Sequence, residues 1–91
     1  MIFEWDAVKS AHNARQRGLP FEVATAIFDS PTLEIADNRR DYGEARIKAV
    51  GIVRGVVLVC VYVDRAGRRR IVSLRAANRK ERNAYRSAYP V

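Results

Sequence analysis

Residues 45–74, ARIKAVGIVRGVVLVCVYVDRAGRRRIVSL, decide the fold. Three β-like runs, Ala45 to Val53, Val56 to Asp64 and Arg68 to Leu74, are parted by Arg54-Gly55 and by Arg65-Ala66-Gly67. Separators this short, each ending in glycine, join antiparallel neighbours, so the stretch predicts a meander of hairpins. The middle run is apolar at nearly every position from Val56 to Val63, the pattern of a central strand covered on both faces. The third run sets Arg68 and Arg70 beside Ile71 and Ser73 and predicts a strand with one wet side.

Working outward, Thr32 to Ala36 is a candidate strand, and Asp37 to Gly43 (DNRRDYG) is a polar loop rich in residues that tolerate unusual backbone angles. Ile2 to Trp5 fits a short edge strand. Asp6 is placed to cap a helix over Ala7 to Arg17, with Val8, Ala11, His12 and Arg15 at helical spacing, Gly18 as its stop and Pro20 beyond. Phe21 to Phe28 is apolar at 21, 24, 27 and 28 and predicts a second helix that ends before Asp29-Ser30-Pro31. Asn78 to Tyr89 is the final helix, stopped by Pro90. The element order predicts one α+β domain over residues 1–91: a twisted antiparallel β-sheet with two N-terminal helices and one C-terminal helix. Trp5, Phe21 and Phe28 are expected in its core.

A hydrophobic fraction of 48% and a charged fraction of 30% describe a globular chain, outside the disordered and membrane classes. The single cysteine, Cys60, lies inside the apolar run, so one chain can form neither an internal disulfide nor a thiolate metal cluster. The start, MIFEWDAVK, lacks a basic segment followed by an apolar one, and no apolar run reaches membrane-spanning length. A cytoplasmic location is expected.

The net charge of +7 is divided unevenly. Residues 1–44 hold five Lys or Arg against eight Asp or Glu; residues 45–91 hold twelve against two, Asp64 and Glu81. A polyanionic partner would therefore meet the second half. Fourteen of the seventeen cations are arginine, whose planar fork matches phosphate and stacks on bases, which favours nucleic acid over a membrane surface. Arg46 with Lys48, and Arg68 with Arg70, stand at period-two spacing, so each pair shares one strand face. If those faces coincide with that of Arg75, they form a basic groove.

With one histidine and one cysteine, multi-ligand His or Cys metal sites are out of reach of a monomer. No nucleophile elbow accompanies any serine, and no GxGxxG or GxxxxGK[ST] loop is present. Arginine, lysine, glutamate and tyrosine remain. They suffice for RNA cleavage without metal or other cofactor, in which the neighbouring ribose 2′-OH is the nucleophile. That reaction needs a base, cations to neutralise the pentacoordinate phosphate, and an acid for the leaving oxygen.

Four motifs in order carry a resemblance: FEWD (Phe3 to Asp6) followed by Lys9 and Asn13; Arg17, Gly18 and Phe21 as RG-x-x-F; Tyr42 to Arg46 as YGE-x-R; and Ser73, Arg75, Ala77, Glu81 and Tyr85 as S-x-R-x-A-x-x-x-E-x-x-x-Y. Over essentially the whole chain the sequence resembles BrnT toxins, the ribonuclease partners of BrnA antitoxins in type II toxin–antitoxin operons, whose fold is similar to RelE. The resemblance implies an mRNA interferase-like endoribonuclease that inhibits translation. It also implies neutralisation by a BrnA-like antitoxin in a heteromeric complex, with operator DNA bound through the antitoxin. Asn78 stands where the family has threonine, a conservative capping change. Gln16-Arg17 stands where a basic residue followed by histidine is common.

The segment from Ser73 to Arg86 holds the contested residues. Arg75 ends the last strand and is a candidate phosphate ligand. Glu81 has two readings: Asn78-x-x-Glu81 fits a capping box, and a carboxylate among Arg79, Lys80, Arg82 and Arg86 fits a general base. Tyr85, one turn on, either meets RNA or packs the helix onto the sheet. The candidate catalytic residues are thus Arg75, Glu81 and Tyr85, to which the family resemblance adds Arg79 and Lys80 as electrostatic catalysts, and the candidate RNA-binding residues are Arg46, Lys48, Arg68, Arg70 and Arg82. A non-catalytic RNA-binding or ribosome-associated module using the same basic face is the alternative. His12 is read as a helix-surface or partly packed residue.

Overall fold

The computed structural model describes residues 1–39 and 43–90. Arg40, Asp41 and Tyr42, within the expected polar loop and the YGE-x-R motif, lie outside the described residues, as does Val91. The chain runs β1 (Ile2–Trp5), α1 (Ala7–Arg17), α2 (Glu22–Thr25), a 3₁₀ turn (Ala26–Asp29), β2 (Leu33–Ala36), β3 (Ile47–Val53), β4 (Val56–Arg65), β5 (Arg68–Ala76) and α3 (Arg79–Ala88). The α+β class follows. The stretch expected as one helix from Phe21 to Phe28 is instead a single α-helical turn that tightens into the 3₁₀ turn.

The meander forms as its turn chemistry dictates. Arg54-Gly55 and Ala66-Gly67 both take positive φ at their two central residues, the geometry that matches the twist of paired strands. The sheet order is β1-β5-β4-β3-β2. β4 is central and buried from Val57 through Val63. One correction concerns direction: β1 runs parallel to β5, pairing Ile2 with Arg68 through Trp5 with Ile71, so the sheet is mixed and not wholly antiparallel. Tight hairpins force the antiparallel sense only between β3, β4 and β5. β1 has no such tie, because most of the chain separates it from β5.

The two faces of β4 carry two cores. Leu58, Cys60 and Tyr62 pack with Ala49, Ile71 and Leu74 against Phe21, Ala24 and Ile27 from the helical segment before β2. Trp5 and Phe28 are half-buried beside them, whereas Phe21 is fully buried. Val57 and Val59 pack with Val50, Ala77 and Tyr85 under α3. Buried polar groups tie the first layer down. The Ser10 hydroxyl accepts from the Phe21 amide at 2.9 Å, and the Asn13 amide nitrogen donates to the carbonyls of Leu19 (2.7 Å) and Leu74 (3.0 Å). α1 itself begins at Asp6, whose carboxylate accepts from the amides of Val8 and Lys9, and ends on Gly18 at φ 68°.

A β-bulge in β5 sets which side chains share a face. Ser73 pairs with Val61 and Ile71 with Tyr62, so Val72 has no partner across the ladder. Strict alternation would set Arg75 on the face of Ile71 and Arg69, opposite Arg68 and Arg70. The inserted residue reverses the parity. Arg75 pairs with Val59, Arg70 with Val63 and Arg68 with Arg65, and Lys48 on β3 pairs with Val61. All four cations therefore lie on the α3 face of the sheet. Arg69 alone of that run points the other way, its guanidinium 4.0 Å from the Tyr62 ring centroid and ion-paired with Asp64.

Gly51 is where the 3₁₀ turn comes closest to the sheet. A Cβ there would lie 2.6 Å from Ile27 Cγ2 and 3.2 Å from the Ile27 carbonyl oxygen, and backbone cannot step aside as a side-chain tip can. Gly51→Ala is expected to destabilise the fold by about 1–3 kcal/mol, measured as a lower urea midpoint with an unchanged slope.

Candidate nucleic-acid interface

The site is assembled where β5 hands over to α3. β5 extends two residues beyond the expected Leu74, so Arg75 sits within the strand, on a rigid support. Asn78 follows with extended backbone, and its side-chain oxygen accepts from the Glu81 amide at 2.8 Å. Glu81 Oε1 in turn accepts from the Asn78 amide at 2.9 Å, which completes a capping box. The same carboxylate faces the sheet. Arg75 donates to it through both arms, Nη1 to Oε1 at 2.7 Å and Nη2 to Oε2 at 2.8 Å, and Lys48 Nζ donates to Oε2 at 3.0 Å.

Burial gives this cluster its direction. The side chain of Glu81 is 10% exposed, whereas those of Arg75 and Lys48 are 37% and 31% exposed. The anion lies beneath and the cations look out. Arg75 holds the Glu81 carboxyl far below the usual carboxylate range; burial opposes this, and the Asn78 amide and Lys48 assist. A carboxylate with both oxygens so engaged is a weak proton acceptor and a strong anchor. Of the two readings of Glu81, the capping contacts are present in full.

Arg75 and Lys48, with Val61 as floor, line a pocket of about 230 Å³ closed on its far side by Ile35, Ala36, Asp37, Asn38 and Arg39. The buried Asp37 carboxylate accepts from Arg39 Nε at 2.8 Å and Nη2 at 2.9 Å, and Arg39 holds it ionised below its ordinary range. These loop residues were not among the sequence candidates. Their signal was two adjacent arginines in the otherwise acidic first half. Further along the same sheet face, Arg46 and Arg70 join Lys9 and Arg65 around a second hollow of about 240 Å³, with Asp6 and Glu44 at its rim. Arg68 stands outside that hollow, 3.9 Å from Glu4, an oxygen that Arg70 approaches at 4.0 Å.

The remaining candidates separate. Arg79 and Lys80 are exposed on the first turn of α3, and Arg82 beside them donates to the Ala77 carbonyl at 2.7 Å. Cations at a helix N-terminus oppose the macrodipole, each by roughly 0.3–1 kcal/mol, so helix stability does not account for them. Tyr85 is not brought to the groove. It is 2% exposed, its hydroxyl donates to the Pro31 carbonyl at 2.8 Å, and its ring lies 5.3 Å from that of Tyr89, whose own hydroxyl donates to the Thr32 carbonyl. Both tyrosines fasten α3 to the segment before β2. His12 is exposed on α1. Burial pushes the Cys60 thiol up to about 12, so it stays protonated. Among the described residues no His, Cys, Asp and Glu gather in a group able to hold a metal, and no helix is long and apolar enough to cross a membrane.

Fold and site together define a small α+β protein whose sheet presents braced cations along one face. The family model described as the ribonuclease toxin, BrnT, of type II toxin–antitoxin systems matches residues 5–81 of the 91, and the chain belongs to that family. A toxin of this class implies an antitoxin partner. No curated protein matches the sequence.

The two duties of Glu81 differ in size. Asn78→Ala, which removes only the cap, is expected to cost about 1 kcal/mol, and Glu81→Ala, which also strands two charged donors, roughly 2–3 kcal/mol, both read from denaturant unfolding. Because folding lowers the Glu81 pKa, its contribution is complete above the unfolded value near 4.5 and is lost as pH falls toward the folded value. Wild-type stability should therefore drop on acidification below about pH 4.5, and Glu81→Gln should flatten that limb.

Proposed function

We propose that the chain is an endoribonuclease, mRNA interferase-like and built on a RelE-like fold, that cleaves RNA without a metal and so inhibits translation. The ribose 2′-hydroxyl gives up its proton to solvent as its oxygen bonds to the adjacent phosphorus, the bond from phosphorus to the 5′-oxygen breaks, and that oxygen takes up a proton from solvent, which yields a 2′,3′-cyclic phosphate and a 5′-hydroxyl. Negative charge accumulates on the phosphate as the pentacoordinate state forms, and preorganised cations lower that barrier most. The observation that carries the reading is the Arg75–Glu81–Lys48 cluster, in which a buried carboxylate fixes two outward-facing cations.

In this reading Arg75 and Lys48 contact the scissile phosphate. Glu81 is a positioning residue that holds their geometry. Arg79, Lys80 and Arg82 add positive potential at the mouth of the groove, and Arg46, Arg68 and Arg70 extend it along the sheet. Tyr85 serves packing. A BrnA-like antitoxin neutralises the toxin in a heteromeric complex, which binds operator DNA through the antitoxin.

Toxin freed of antitoxin and incubated with RNA in EDTA is expected to generate fragments ending in 2′,3′-cyclic phosphate. Arg75→Ala should lower the cleavage rate by about 10²–10³-fold. Tyr85→Phe should cleave within a few-fold of wild type while losing about 1 kcal/mol of stability. RNA that is bound but left intact would favour the non-catalytic module, and cleavage abolished by EDTA and restored by a divalent cation would overturn the metal-free route.

A further inference from the structure

A surface helix ordinarily holds on by burying an apolar stripe, and α1 does not. Ser10 is its one buried residue. The attachment is by hydrogen bonds: the Ser10 hydroxyl accepts from the Phe21 amide and donates to the Glu22 carboxylate at 3.2 Å, and Asn13 reaches the carbonyls of Leu19 and Leu74. Val8, Ala11, His12 and Arg15, which the helical period groups together, are all exposed, Val8 by 76%. β1 pairs with β5 only as far as Ile71, so Val72 and Ser73 lie beyond that pairing, on the stretch of β5 that α1 flanks. Between helix and strand is a hollow of about 530 Å³, with the buried Phe21 and half-buried Val72 as floor, Val8 on its wall, and Lys9, His12 and Arg15 along its rim. It is more than twice the size of either hollow on the basic face. No carboxylate lines it. Among the described residues no ion pair engages Lys9, His12 or Arg15. Lys9 and Val72 also line the neighbouring hollow of Arg46, Arg65 and Arg70, so an occupant of one leads directly into the other.

We infer that this hollow is the docking site of the antitoxin, which seats an apolar side chain against Val8, Phe21 and Val72 and carries an acidic segment past Lys9 onto the basic sheet face. The inference rests on the antitoxin complex of the proposed function and gives that complex a location. An apolar anchor in a preformed hollow supplies affinity, and carboxylates opposite Lys9 and Arg15 supply orientation and a fast encounter. The surface suits other occupants poorly. Phe21 is 2% exposed and offers no ring face on which a base could stack, and a phosphate backbone gains nothing from apolar walls. Two copies of a chain with a net charge of +7 would meet here through cationic rims and repel. Asp6, three residues before Lys9, does not cancel that rim, because its carboxylate accepts from the Val8 and Lys9 amides at the start of α1.

The test titrates the full-length toxin with the antitoxin encoded in its operon, by calorimetry at low and high salt. Val8→Glu, which removes an apolar contact and sets a negative charge against an acidic partner, is expected to weaken the complex by about tenfold or more. An acid at the second position of α1 suits the helix dipole, so the variant keeps its fold, which a thermal melt checks. Arg15→Glu should weaken the complex chiefly at low salt and reduce its salt dependence. Val56→Glu places the same charge on an exposed valine at the β3–β4 hairpin and should leave the affinity unchanged. Free toxin carrying Val8→Glu should cleave RNA within a few-fold of wild type yet need more antitoxin to be silenced. Unchanged antitoxin affinity in both Val8→Glu and Arg15→Glu would overturn this docking site while leaving the antitoxin complex intact. Unchanged antitoxin affinity with weakened RNA binding would assign the hollow to RNA, and with a lost toxin dimer in sedimentation to a second copy; either result overturns the inference. Absence of any toxin–antitoxin complex for the wild type would overturn both the docking site and the antitoxin reading.

Discussion

The carboxylate of Glu81 receives both arms of Arg75, the ammonium of Lys48 and the amide of Asn78, and three parts of the fold meet on it. Arg75 belongs to β5, Lys48 to β3, and Asn78 starts α3. Two strands that flank β4 are thereby tied to the helix that covers it. A buried carboxylate without these donors would be expensive, and two exposed cations without it would repel one another and drift. The pairing resolves both problems.

A second constraint acts further out. The bulge at Val72 shifts β5 by one residue against β4, so that Arg68 and Arg70 face the same way as Arg75. Without the shift the basic residues would be split between the α3 face and the face that packs on Phe21 and Ile27. A one-residue insertion converts a scattered charge pattern into a directional one. The unbroken apolar run of β4 leaves little freedom elsewhere, because Val57, Val59, Val61 and Val63 are all buried on the face where these cations lie.

Much of this was legible in residues 45–74. Short separators ending in glycine and an unbroken apolar run specify the meander and its central strand, and the Asn78-x-x-Glu81 spacing offers the capping box as one of two readings of Glu81. The direction of β1 was not legible, because parallel pairing of distant segments leaves no turn signature. The break of residues 21–28 into an α-turn and a 3₁₀ turn was not legible either; it comes with the close approach of Ile27 to Gly51, a tertiary contact. The bulge also leaves no mark, since Val72 suits a regular strand equally well. In the candidate site, Arg75 and Glu81 were each legible as residues worth weighing, though not as partners of one another. That Lys48 completes the cluster, and that Tyr85 turns inward to Pro31, depends on how α3 crosses the sheet, which local spacing does not encode.

The central claim is that Glu81 acts through the cations it holds and not by taking a proton itself. A double-mutant cycle on RNA cleavage measures this directly, with Glu81→Gln, Arg75→Ala and the double variant compared with wild type under single-turnover conditions. If Glu81 acts by positioning Arg75, its loss in the Arg75→Ala background should slow cleavage by no more than a few-fold, far less than its effect in the wild-type background. Effects that multiply, so that Glu81→Gln costs as much without Arg75 as with it, would contradict the account and assign Glu81 an independent chemical role.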